Sequence, residues 1–254
     1  MLIYPAPVTW TDLQNTIARI LHELGFTTKS PKTLKLVRGS VEVDVFSVDT
    51  TTEPNIVYIC EAKHWNKRVP KTVVHAFRSV VSDYGANVGL IISNKGFQSG
   101  AQEATDHSNI RLLTFEGFET LFLDRWLIRA AAETYAVADR FISLTDYISA
   151  PPKQWDTWPQ PTRNAFIRLN RIYDVISSEV LHINFNPDHL KTLKFPLDRP
   201  VITSLSWDSN HATAFEGSDV KMQRLENYSE YFGYLRSNIQ EGLQAFERLG
   251  VKVK

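Results

Sequence analysis

Cysteine is nearly missing from this sequence: Cys60 is the single one in 254 residues. One thiol excludes an intramolecular disulfide and a paired-cysteine metal motif, and it fits a reducing compartment. Excess charge of either sign is also missing. Lys plus Arg and Asp plus Glu number 28 each, so no bulk field draws the whole chain to a polyanion or a membrane. No uncharged apolar run approaches the roughly 18 residues that a bilayer span needs. The opening Met-Leu-Ile-Tyr-Pro-Ala-Pro lacks the basic start and apolar run of a signal peptide. The expectation is a cytoplasmic protein with no membrane partner. Gly-rich phosphate loops, serine-nucleophile elbows, internal repeats and low-complexity tracts are absent too.

What is present is an ordinary globular composition, 43% hydrophobic, in a length suited to one large or two modest domains. Leu13, Ile17, Leu21 and Leu24 recur at helical spacing and predict an amphipathic helix over 11–24, capped by Thr9 or Thr11 and stopped by Gly25. Gln14 lies at the margin of its apolar stripe, either solvated or turned toward whatever the helix packs on. A strand is expected over 40–48, with Val41, Val43 and Val45 on one face and Glu42, Asp44 and Phe46 on the other. A second, strongly apolar strand follows at 56–62. Cys60 falls opposite Glu61 and reads as a buried filler. Pro70 opens a helix whose broad apolar face runs from Val73 to Tyr84, with His75, Arg78 and Ser82 on another face. Strands at 86–93 and 110–115 bracket a short helix at 98–107. Strands alternating with helices imply crossover units and partly parallel pairing. Beyond residue 116 the pattern is largely helical, to 148, from Thr162 to Leu181 and over 222–249. Four prolines break it at 150–161, and 183–220 show no clear period.

The chemistry concentrates at 39–65. Glu61 and Lys63 are two apart on one strand and so share a face. With Asp44 opposite, two carboxylates and an ammonium meet at one point. Such a group can hold a divalent metal and activate water. Asp44 and Glu61 would supply carboxylate oxygens, the Ala62 backbone carbonyl a third ligand, and Lys63 charge near the attacking water, where it would also keep both acids ionised. The segments at 29–38 and 63–78 hold nine of the 12 basic residues of the first 123 and no acid, although that stretch also has 12 acids. Lys29, Lys32, Lys35 and Arg38 precede the acidic strand; Lys67, Arg68, Lys71 and Arg78 follow it. Basic segments bracketing an acidic pocket suit a phosphate backbone approaching a metal. His75 is either a surface residue or one that reaches the site.

In residue order, residues 10–122 resemble the Mrr-like branch of the restriction-endonuclease superfamily, the PD-(D/E)xK nucleases. The match runs through the opening helix ending in Leu-Gly-Phe, Val-Glu-Val-Asp, Cys-Glu-Ala-Lys-His-Trp, the strand at 86–93, Gly96-Phe97 and the apolar strand at 110–113. The resemblance implies an α/β restriction-endonuclease-like core, a mixed central sheet flanked by helices, over 1–123. A mainly helical region with a regulatory, recognition or oligomerisation role would follow over 124–254. It implies catalysis by Asp44, Glu61 and Lys63, a Mg²⁺ cofactor replaceable by Mn²⁺, DNA as substrate, and type II-like phosphodiester hydrolysis in defence against foreign DNA. A partner protein of a defence system and a homodimer or higher oligomer, joined through the long C-terminal helix, are further implications. Relatives commonly carry a Glu near Gln14; Gln14 does not supply that charge, so one metal position is well furnished. The alternatives are a non-catalytic nucleic-acid-binding or regulatory module on the same scaffold, and a nuclease acting on RNA or repair intermediates.

Overall fold

The computed structural model describes residues 3–37, 39–146, 152–207 and 215–251. The chain divides into two compact units, residues 2–126 and 127–254.

In the first unit, helix α1 (Trp10–Glu23) starts where the Thr9 side chain accepts the Asp12 N–H, and ends before Gly25, whose φ of 83° suits glycine. Strands β1 (Thr27–Lys29), β4 (Val45–Asp49), β5 (Ile56–Lys63), β6 (Val88–Ser93) and β7 (Ile110–Thr114) form one sheet in the order β1-β4-β5-β6-β7. The first three are antiparallel; β5, β6 and β7 are parallel. Helix α2 (Lys71–Tyr84) makes the β5–β6 crossover and the short α3 (Ser99–Glu103) the next one. The mixed central sheet with flanking helices is therefore as expected.

The predicted single strand over 40–48 is two strands. β3 (Gly39–Val43) pairs with β2 (Lys32–Leu36) in a separate hairpin, and β4 belongs to the main sheet. Asp44 is the bend between them. The bend changes the parity of the side chains. Val41 and Val43 join Phe46, Val57 and Ile59 in the core that α2 covers with Val74, Phe77 and Val81. Val45, opposite Cys60, faces the other side. The predicted valine face is thus divided, because the chain passes from one sheet to another inside it.

On that other side, α1 buries Leu13, Ile17, Ile20 and Leu21 against β1, β4 and β5. Helix α4 (Phe115–Thr145) contributes Phe118 and Phe122 to a ring cluster with Phe26 and Tyr58, centroids 5.3–6.2 Å apart. Buried Asp49 accepts from Arg125 (2.9 Å) and from both the N–H and the hydroxyl of Thr51, which hold its carboxyl below the usual range despite burial. Buried Glu119 accepts the Tyr4 N–H at 2.9 Å, and among the described residues its second oxygen has no hydrogen-bond partner. Burial pushes its carboxyl up to about 7, against the opposing pull of the Tyr4 and Ile3 amides.

The second unit is mainly helical. The part of α4 from Leu127, α5 (Gln160–Phe185) and α6 (Tyr228–Arg248) share a core that includes Phe141, Phe166, Tyr173 and Phe246. Trp155 and Trp158, in the proline-rich segment, pack on Phe166 at 5.9 and 5.7 Å. Asn170 donates to the Leu144 and Thr145 carbonyls at the end of α4, and so satisfies two otherwise open acceptors. The stretch without a period contains β8 (Leu197–Trp207) and β9 (Phe215–Leu225), an antiparallel ribbon. The helix expected from 222 begins at Tyr228, because β9 continues to Leu225 and Asn227 caps the helix through the Glu230 N–H. On α6, Tyr231, Phe232, Leu235, Ile239 and Phe246 are all buried. Among the described residues no helix is long and apolar enough to cross a membrane.

Two outcomes follow from the first unit. A Cβ on Gly89 would lie 2.5 Å from Ile110, 2.7 Å from Val81 and 2.9 Å from Phe77, where α2 meets β6. Gly89→Ala should cost about 1–3 kcal/mol of stability in denaturant titrations. Glu119 has a folded pKa above its unfolded value, so its contribution is complete below the unfolded value and is lost as pH rises through about 7. Glu119→Gln should therefore melt higher than the parent at pH 8 and at nearly the same temperature at pH 4.

Candidate active site

The site forms where the antiparallel pairing of β4 with β5 runs out. The last pair is Val45 with Cys60, so Asp44 at the bend reaches the level of Glu61. Its main chain no longer pairs with β5, and its side chain takes over: Asp44 Oδ2 accepts the Ala62 N–H at 2.7 Å. Glu61 and Lys63 project from the opposite face of β5 to Cys60 and Ala62, as strand periodicity requires. Lys63 Nζ donates to Glu61 Oε1 in an ion pair. The same ammonium lies 5.3 Å from the Trp65 ring centroid. Both charged side chains are mostly covered, 15% exposed for Lys63 and 23% for Glu61.

Burial pushes both carboxyls above the usual carboxylate value, while Lys63 pulls each of them down, as its charge was expected to do. Burial pushes the Asp44 carboxyl up; the Ala62 amide and Lys63 pull it back, and Glu42 adds a further push. Burial and then the charge of Asp44 push Glu61 up, against the bond and charge of Lys63. Desolvation wins at both positions, because one ammonium cannot offset two sheltered carboxylates. Two such acids side by side are incompletely compensated, which is the donor chemistry of a cation site. Ala62 fits as a third ligand. Its N–H leaves the strand toward Asp44, and a strand residue's carbonyl leaves on the same side as its amide. Among the described residues no three His, Cys, Asp or Glu side chains cluster as a metal cage, so any ion here would complete its shell with that carbonyl, water or substrate oxygens.

Gln14 is buried in α1 and turns inward. Its Nε2 donates to the Asp44 carbonyl at 3.1 Å and to Ser30 Oγ at 3.0 Å. Ser30 Oγ donates to the same carbonyl at 2.8 Å. Ser30 is a site residue that sequence reasoning missed; it follows the basic Lys29, and no spacing rule marks it. The loop after β5 is tied down by Val69 N–H to Gly96 O and Gln98 N–H to Val69 O, both 3.0 Å, and His64 Nε2 lies 3.3 Å from the Pro7 carbonyl. Asn94 N–H meets the Lys63 carbonyl at 3.3 Å, which brings the turn that begins at Asn94 to the end of the site strand.

The basic residues divide by position. Lys29 and Lys32 flank Ser30, with Lys32 paired to Val43, next to the bend. Lys67 and Arg68 are exposed in the loop that follows the site strand, and Lys71 begins α2. Lys35 lies farther along the hairpin, opposite Ser40, and Arg38 falls outside the described residues. His75 and Arg78 are exposed on α2, and among the described residues no hydrogen bond joins either side chain to the carboxylates.

A mixed sheet with an acid at the bend before one strand and an acid–x–lysine pair on the next is the arrangement expected from the sequence resemblance. Residues 6–122 match the model of the Mrr_cat family, described as "Restriction endonuclease". No curated protein matches the sequence. Among solved structures, similarity extends to a protein of unknown function, AF1548, at 16% identity and TM-score 0.39, over 72% of this chain and 94% of that one. It extends also to the MspJI restriction endonuclease in complex with a 27-mer oligonucleotide, at 15% identity and TM-score 0.30, over 46% of this chain and 28% of that one. A third is the DNA modification-dependent restriction endonuclease AspBHI, at 12% identity and TM-score 0.27, over 48% and 38%.

The raised carboxyls set a pH test. For each, stability is complete below the unfolded carboxyl pKa and is lost as pH rises through the higher folded value. Asp44→Asn removes one charge and retains an oxygen for the Ala62 N–H. In EDTA at pH 8 this variant should melt above the parent, and near pH 3 the difference should vanish. A variant that melts lower at pH 8 would contradict the account.

Proposed function

We propose that residues 6–122 form a divalent-metal-dependent endonuclease that hydrolyses DNA phosphodiester bonds, with Mg²⁺ as the cofactor and Mn²⁺ as a substitute. The observation that carries the proposal is the Asp44 carboxylate locked onto the Ala62 N–H beside the Glu61–Lys63 pair. Asp44 Oδ1, Glu61 and the Ala62 carbonyl would hold the cation. When bound, Mg²⁺ would neutralise charge at the phosphorus and acidify the attacking water.

The protein's own residues supply the rest. Asp44 keeps one oxygen on the Ala62 amide and leaves the other for ligation, which fixes the direction of its free lone pairs. With a cation bound, Glu61 would serve as its ligand, and Lys63 would donate from Nζ to the attacking water or a non-bridging phosphate oxygen, where negative charge grows in the transition state. Trp65 covers Lys63 and limits its range. Lys29, Lys32, Lys67, Arg68 and Lys71 would hold the flanking phosphates; Lys35, Arg38 and Arg78 would extend that contact along the strand. His75 would contact a phosphate rather than the reacting atoms, given its exposure.

The charge balance of the chain argues for modest affinity toward bulk DNA, so target selection falls to other features. Residues 124–254 would serve target choice, activation or self-association, and the function would be defence against foreign DNA.

Supercoiled plasmid incubated with the full chain and Mg²⁺ or Mn²⁺ should be nicked and linearised, and EDTA should stop the reaction. Asp44→Ala and Lys63→Ala should each lower the rate by about 100-fold or more. Cleavage that survives both substitutions would rule out this site.

A further inference from the structure

Asp44 would be poorly aimed if its own carboxylate were its sole anchor. It is the bend between two sheets, so its carbonyl has no strand partner: β3 pairs with β2 up to Val43, and β4 pairs from Val45 onward. A covered carbonyl without a donor is costly and leaves the peptide free to rotate. Two side chains fill that role. Ser30 Oγ donates at 2.8 Å and Gln14 Nε2 at 3.1 Å, and Gln14 also bonds Ser30 at 3.0 Å. The three atoms form a closed triangle. Gln14 is 5% exposed and Val45, next to the bend, is fully buried, so the triangle is walled by packed residues.

We propose that Gln14 and Ser30 are positioning residues that fix the Asp44 peptide and thereby aim its carboxylate. The proposal rests on the metal-site reading above for its consequence, though not for its geometry. Rotation of the Asp44 peptide would swing its Cα–Cβ bond and pull Oδ2 off the Ala62 N–H. The amide of Gln14 is what the role requires. A carboxylate at this position would set oxygen against the Asp44 carbonyl and could not donate. Gln14 therefore acts through hydrogen-bond donation, in contrast to an acid that binds a second cation. Partners that orient a ligand in this way are typically worth about 10- to 100-fold in metal affinity.

The test uses the full chain without DNA and two readouts. One is the Ala62 amide by ¹H–¹⁵N NMR in metal-free protein, which reports the Asp44 carboxylate directly. The other is Mn²⁺ titration by electron paramagnetic resonance. In Gln14→Met/Ser30→Ala the Ala62 amide should move upfield and exchange faster with solvent, and the Mn²⁺ Kd should rise about tenfold or more. Gln14→Met and Ser30→Ala singly should give smaller changes in the same direction, since one donor remains; they serve if the double variant does not fold. Gln14→Glu should weaken Mn²⁺ binding despite its added charge. Tighter Mn²⁺ binding by Gln14→Glu, or an unmoved Ala62 amide in all three donor-deleted variants, would overturn the proposal. If the parent and Asp44→Asn bind Mn²⁺ equally, the metal site falls, while the Ala62 amide still decides the positioning role.

Discussion

The first unit depends on a conflict between pairing and solvation at the end of β5. The strand carries an acid and a lysine into a sheltered place, and the neighbouring strand stops one residue short of covering them. What fills the gap is a side chain, Asp44, bonded to the amide that a strand would otherwise have taken. Burial opposes the charge on both acids, and a single ammonium is left to balance them. The surrounding elements sustain that arrangement. α2 packs Val74, Phe77 and Val81 over Ile59 on one side of the sheet. α1 brings a buried glutamine to the bend from the other. Asp49, fixed by Arg125 and Thr51, secures the far end of β4, so the strand has no slack along its length.

Much of this was legible in the sequence because it is periodic. Ile59 and Glu61 had to share a face, Cys60 had to be buried, and the alternation of helix and strand required crossovers. The error over Val41, Val43 and Val45 has a specific cause. Alternation is a property of one uninterrupted strand, and nothing in Val-Glu-Val-Asp-Val-Phe marks the residue where the chain leaves one sheet for another. Gln14 could be placed on its helix but not oriented, since its partner is a backbone carbonyl thirty residues away. Ser30 carries no pattern at all. Residues that bind main chain rather than other side chains leave little trace in composition.

The second unit shows the opposite limit. Its helices were visible by their apolar spacing, whereas the β8–β9 ribbon was not. A ribbon of two strands buries little, and Val220 and Met222 stand 54% and 65% exposed among polar neighbours. The alternation that identifies a strand comes from a buried face, so a strand with a poor one loses its signature. For α6 the periodic pattern marks residues that are buried.

The bend at Asp44 also separates two kinds of change over evolutionary time. Within the main sheet, one added or lost residue would turn every following side chain over and exchange the acids with the core. In the β2–β3 hairpin the register is set by its own turn, and it ends at Val43. The hairpin's inner face, with Leu34 and Val43, is held in the core, whereas charge on its outer face, which carries Lys35, can change without rotating the carboxylates.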